Sequence, residues 1–144
     1  MKIDSFTGEH RFLSNFYIPA PVSLNGVIYP SVEHAYQASK SDNELVRFQF
    51  TYGTPGDAKR LGRIIKLRKN WELDKEAVMF GLLRKKFLIP NLKQKLLDTG
   101  DAELIEGNTW GDTYWGVCNG IGQNRLGVLL MKVRSELSGL VEPI

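Results

Sequence analysis

Apolar residues recur with helical spacing over several stretches of the chain and with strand spacing over a few shorter ones. Residues 1–29 read as extended and looped. Met1 to Phe6 forms a short strand candidate there. Asn25-Gly26, between Val22-Ser23-Leu24 and Val27-Ile28-Tyr29, predicts a hairpin, because both central residues of such a turn need positive φ. A helix is predicted from Val32, capped by Ser31 with Pro30 outside it. A second covers Asn43 to Thr51 with a cap at Ser41-Asp42. A third runs from Pro55 to about Ile65, with Thr54 as cap and Asp57 in its first turn. Asp74 caps a long helix over Lys75 to Leu88. Pro90 opens another, Asn91 to Asp98, that stops at Gly100. Glu103-Leu104-Ile105-Glu106 alternates as a short strand. The last helix, Leu126 to Leu137, buries Leu126, Leu129, Leu130, Val133 and Leu137 and ends near Ser138-Gly139. The pattern is α+β and mainly helical, with a few short strands.

The length of 144 residues is that of one domain, and no repeat, low-complexity segment or linker divides residues 1–144. A composition 42% hydrophobic and 24% charged is ordinary for a globular protein with a core of its own. One cysteine, Cys118, excludes an internal disulfide, and two histidines, His10 and His34, leave no Cys/His metal set. No apolar run approaches a membrane span and the N-terminus does not read as a signal peptide, so a cytoplasmic setting is expected. The net charge of +3 suits a phosphate-bearing ligand without requiring nucleic acid.

Four stretches carry candidate chemistry. On an ideal helix from Val32, Glu33, Gln37 and Lys40 fall at i, i+4 and i+7 and share a face. At ~1.5 Å rise per residue, Glu33 and Lys40 stand ~10 Å apart along the axis, and the lysine leans back toward the N-terminus. The face reads either as a solvated polar stripe or as a site. His34 points about 100° away from Glu33 and reads as structural. Between Ala58 and Trp71 lie six basic residues and no acid: Lys59, Arg60, Arg63, Lys66, Arg68 and Lys69. They form either a solvated face or a phosphate-docking patch. Residues 107–116 are rich in Gly, Asn, Asp and aromatics. Trp110 and Trp115 with Asp112 between them either wall a pocket for a planar ring or anchor a loop. The glycine-bearing run Gly122 to Gly127, with Asn124 and Arg125 at a helix start, reads as an anion site or as capping.

Taken in order, these pieces resemble the NADAR (YbiA-like) family of N-glycosidases. The matching residues are Ser14-Asn15-Phe16, Pro30 to His34 with Gln37 and Lys40, Arg68 to Trp71, Tyr114-Trp115-Gly116, and Gly122 to Gly127. They span about residues 12 to 137, so the resemblance covers nearly the whole chain. It implies a compact YbiA-like domain that cleaves an N-glycosidic bond between ribose and a base or base-like amine. Some relatives act on ribosylamino-pyrimidine intermediates of riboflavin synthesis. Others remove ADP-ribose from modified guanine.

The residues suit that chemistry. Breaking an N-glycosidic bond builds positive charge on the anomeric carbon and leaves an amine that needs a proton. Glu33 is the first choice for the carboxylate beside that carbon. Asp112 is the second, as proton carrier or sugar-hydroxyl anchor. Lys40 offers a covalent route through a Lys–ribose imine, which requires a depressed amine pKa; a nearby Glu33 opposes that depression. Lys40 is therefore either nucleophile or charge partner. Trp71 and Trp115 are candidates to stack the base or frame the pocket. Asn15, Asn124 and Arg125 are candidates for ribose hydroxyls or phosphate, and Gln37 for orienting its neighbours. No cofactor or metal is called for. The expected substrate is ADP-ribosylated guanine, as nucleotide or within a nucleic acid, with a phosphorylated ribosylamine as the alternative. A module that binds ADP-ribose without cleaving it is the competing class, and a nucleic-acid binder using the basic run is another.

Overall fold

The computed structural model describes residues 1–139. The fold is α+β and mainly helical, and its contacts gather into two units, Asn15–Lys86 and Met1–Ser14 with Phe87–Ile144.

In the unit Asn15–Lys86, β2 (Val22–Leu24) pairs antiparallel with β3 (Val27–Tyr29), Val22 opposite Tyr29. Asn25 and Gly26 take φ of 51° and 81°, as the turn requires. The hairpin leads into α1 (Val32–Ala38), where Ser31 Oγ accepts from the His34 amide at 3.2 Å. α2 (Glu44–Phe48) continues as a 3₁₀ turn, Gln49–Thr51. Its cap is Asn43, whose Oδ1 accepts from the Leu45 and Val46 amides, and not Ser41-Asp42. α3 (Pro55–Gly62) opens on a reciprocal capping box of Thr54 and Asp57 and stops three residues before Ile65, where the chain tightens into a turn. α4 (Trp71–Lys86) starts four residues earlier than the sequence pattern indicates. Asn70, at φ 66°, turns the chain into it, and Asp74 lies inside the first turn, where it accepts from Arg68 Nη1 at 2.8 Å.

Every residue of α1 is buried, which overturns the solvated-stripe reading. α1 packs against α3 and α4, so its polar side chains must be satisfied internally. His34 does so by bridging Ser31 Oγ at 2.7 Å and the Gly53 carbonyl at 2.9 Å. The carbonyl can only accept, so Nε2 carries the proton and Nδ1 accepts from the hydroxyl. His34 is thus structural.

In the other unit, β1 (Lys2–Ile3) lies parallel to β4 (Glu103–Leu104), and β5 (Gly107–Asn108) lies parallel to β6 (Val117–Cys118). Gly8–Leu13 is a 3₁₀ helix where the sequence pattern indicates only loop. α5 (Pro90–Asp98) and α6 (Arg125–Leu137) supply the apolar faces. Leu92, Leu96, Leu104, Leu130 and Val133 are buried there. Among the described residues, no helix is long and apolar enough to cross a membrane.

Candidate active site

The unit Asn15–Lys86 holds five of the residues singled out by sequence: Asn15, Glu33, Gln37, Lys40 and Trp71. Glu33 is buried in the first turn of α1. Its amide donates to the Asn15 carbonyl at 3.1 Å, which ties the segment bearing Asn15 to the helix start. One turn on, Gln37 Nε2 donates to Glu33 Oε2 at 2.6 Å. Asn15 is buried too; its Nδ2 contacts Met79 Sδ at 3.5 Å and its Oδ1 has no hydrogen-bond partner. An acceptor left bare in a buried frame costs folding free energy, about 1–3 kcal/mol.

Lys40 lies beyond the end of α1, since the helix stops at Ala38 and Ser39 Oγ turns back to the Ala35 carbonyl at 2.7 Å. It therefore does not complete the ideal i+7 face. Lys40 and Glu33 nevertheless interact electrostatically. Burial pushes the Lys40 amine below the ordinary lysine range. In falling order of effect, Glu33 pulls it up, Arg63 pushes it down, Glu72 pulls it up and Lys75 pushes it down. Burial wins, which resolves in direction the conflict posed by a carboxylate so near. Lys40 Nζ lies 5.9 Å from the centre of the Tyr36 ring. Tyr36 in turn packs at 5.2 Å against Trp71, which is buried. The Arg68 guanidinium lies 5.3 Å from the Trp71 ring centre. Trp71 is thus a wall of the unit rather than an open stacking platform.

The basic run separates into two kinds of residue. Arg60 pairs with Asp57. Arg68 donates to the Ser39 carbonyl at 2.9 Å as well as to Asp74, which gives it a structural task. Arg63, Lys66 and Lys69 are exposed, and Arg63 is the one whose charge reaches Lys40.

Asp112, Trp115, Asn124 and Arg125 belong to the other unit. Asp112 Oδ1 accepts from the Tyr114 and Trp115 amides at 3.0 and 2.9 Å. Asn108 braces the same loop, accepting from the Asp112 amide and donating to its carbonyl. Trp115 stands edge-on to Tyr114, 4.9 Å between ring centres. The start of α6 differs from the anion-site reading. The amides of Gln123, Asn124, Arg125 and Leu126 are taken by the carbonyls of Thr113, Gly116, Tyr114 and Trp115. An anion there would have to displace bonds of 2.8 to 3.3 Å that already satisfy the helix end. Asn124 is the N-cap residue of α6, but its side chain makes no cap hydrogen bond. It sits at φ 52°, accepts from the Glu106 amide and donates to the Leu104 carbonyl, both at 2.9 Å.

Sequence reasoning passed over Asn108, Glu72 and Gly62. The first two look like ordinary surface polar residues until tertiary neighbours are known, and Gly62 looks like a helix stop. Among the described residues, no group of three or more His, Cys, Asp or Glu is placed to hold a metal ion.

Comparison with known proteins bears on the family and the fold. The NADAR domain matches residues 4–138 and so takes in both units. The N-glycosidase YbiA of Escherichia coli K12 is 42% identical over 139 residues, covering 93% of this chain and 86% of the relative. A riboflavin biosynthesis protein of Vibrio vulnificus is 39% identical over 136 residues, covering 90% of this chain but 36% of that protein. The NMR structure of E. coli YbiA superposes with a TM-score of 0.82 at 38% identity, over 96% of this chain and 87% of the other. With the domain match over residues 4–138 and a YbiA-like fold beneath it, the chain belongs to the NADAR domain family.

Proposed function

We propose that this protein is an N-glycosidase that hydrolyses the bond between a ribose and a base-type amine. The observation that carries this reading is the buried Glu33 carboxylate, held by Gln37 and set electrostatically against Lys40, an amine that burial drives toward its neutral form. Glu33 stabilises the positive charge that develops on the anomeric carbon, where a fixed carboxylate in a low-dielectric site is most effective. Lys40, when neutral, attacks that carbon in the ring-opened sugar. Its nitrogen forms the new bond, the base-type amine leaves with a proton, and water then releases ribose from the Lys40 imine. Relatives named N-glycosidase support the reaction class.

The substrate we favour is ADP-ribosylated guanine, free or in a nucleic acid, because Arg63, Lys66 and Lys69 leave exposed cations for phosphate. A second reading is a ribosylamino-pyrimidine phosphate of the riboflavin pathway, favoured by the name of the Vibrio relative. The single cysteine, Cys118, goes with a cytoplasmic setting.

The test is incubation of the purified protein with an ADP-ribosylated guanine oligonucleotide and, separately, a ribosylamino-pyrimidine phosphate, read by mass spectrometry. Glu33→Gln and Lys40→Ala run beside the wild type. Loss of the sugar mass with wild type alone, and a borohydride-trapped adduct at Lys40, are expected on one of the two substrates. Tight ADP-ribose binding without turnover on either would make the protein a binding module instead.

A further inference from the structure

We infer that Gly62 is a positioning residue for the Glu33 carboxylate, acting through the side chain of Gln37. The inference rests on Glu33 having the role proposed above.

Gly62 is buried at the last turn of α3, and its backbone is not in the left-handed region, so its φ does not call for glycine. Glycine in a helix costs stability relative to alanine, so another demand must hold it there. That demand is space. A Cβ built on Gly62 would stand 1.9 Å from Gln37 Oε1, 2.7 Å from its Cδ and 3.3 Å from its Cβ. All three contacts belong to one side chain on α1. The two closest atoms are the amide end of that side chain, so a Cβ there displaces the amide itself.

The amide is held in an unequal way. On one side Nε2 donates to Glu33 Oε2 at 2.6 Å. On the other, Oε1 is buried and has no hydrogen-bond partner. No donor fixes that end, so its fit against the bare Cα of Gly62 does. Turning the amide over would set its oxygen against the Glu33 carboxylate, which repels it. The orientation of Gln37 therefore follows from the charge of Glu33 on one side and the missing side chain of Gly62 on the other. A Cβ at residue 62 would push the amide away from Glu33 Oε2 and break that hydrogen bond. A donor removed from a carboxylate disfavours its charged form.

The experiment uses the full-length protein with ¹³C-labelled glutamate, the Glu33 carboxyl resonance being assigned with Glu33→Gln. Gly62→Ala, Gln37→Ala and the double variant are titrated by NMR and assayed on the active substrate. Lys40, a charged group set against Glu33, is retained in each. Gly62→Ala and Gln37→Ala should each move the Glu33 midpoint, and the acid limb of kcat, to higher pH. Each should lower kcat by about 10- to 100-fold with KM changed less than about threefold. The double variant should be no worse than the single ones, because both remove the same bond. A Gly62→Ala protein that loses Tm but keeps the Glu33 midpoint would overturn the inference, as would losses that multiply in the double variant. If Gly62→Ala does not fold, Gln37→Ala and the double variant decide, and an unmoved midpoint in Gln37→Ala sinks it. The titration needs no substrate, so a wild type inactive on both substrates counts against the proposed function alone.

Discussion

Glu33, in the first turn of α1, and the burial of Lys40, just past the helix end, act on the Lys40 amine in opposite directions: the carboxylate draws it toward its charged form, and burial outweighs it. The rate of an imine route should therefore rise with pH through a midpoint below that of an ordinary lysine. Arg63→Gln removes a positive neighbour and should move that limb to higher pH. Glu72→Gln removes a negative one, frees Lys75 from its 2.7 Å ion pair, and should move the limb lower. The pH profile of kcat for the three proteins checks this, and a limb indifferent to both changes would remove Lys40 as the nucleophile.

Arg68 joins three segments of its unit, through the Ser39 carbonyl, Asp74 and the face of Trp71. Arg68→Ala should lower stability by about 1–3 kcal/mol in urea unfolding, with KM for the active substrate changed by less than about twofold. Arg68→Lys should restore little, because an ammonium cannot match the forked geometry. A raised KM at undiminished stability would instead make Arg68 a phosphate contact.

Asn124 carries two bonds to the β4 segment from a left-handed backbone. Asn124→Ala should cost about 2–3 kcal/mol, because it strands a backbone amide and strains the alanine. Thermal or urea unfolding reads this directly. A defect confined to KM would return Asn124 to the substrate.

Lys86 is buried in the last turn of α4, with Nζ 5.8 Å from the Tyr17 ring centre, and burial pushes its pKa down to about 7. Between pH ~7 and the ordinary lysine value of 10.5, the unfolded chain holds a proton that the folded one has released. This group's contribution to stability is therefore complete above pH 10.5 and is lost as pH falls toward about 7. Lys86→Met, similar in length and apolar, should raise Tm near neutral pH and flatten the rise of stability from pH 7 to 10. An unchanged slope in denaturation series across that range would contradict it.

Local chemistry was readable directly. Asn25-Gly26 makes its turn, Thr54, Pro55 and Asp57 start α3, and Pro90 and Gly100 bound α5, because each signal acts within about four residues of itself. The candidates Glu33 and Gln37 were readable as well, one turn apart on α1, whereas Lys40, expected at i+7 of the same face, falls past the helix end. What the tertiary structure alone decided is what surrounds them. Periodicity cannot tell a polar face turned to solvent from one buried between helices, and α1 proved to be the second. The parallel pairing of β1 with β4 joins residues about a hundred positions apart, and no local pattern encodes it. The amides at the start of α6 are closed by carbonyls of a preceding loop, so glycines that resemble an anion cradle serve a chain crossing. Gly62 reads as a helix stop until Gln37 is seen against it. Side-chain identities are written in the chain, but burial, and with it the lowered pKa of Lys40, arises only from neighbours that folding brings from elsewhere.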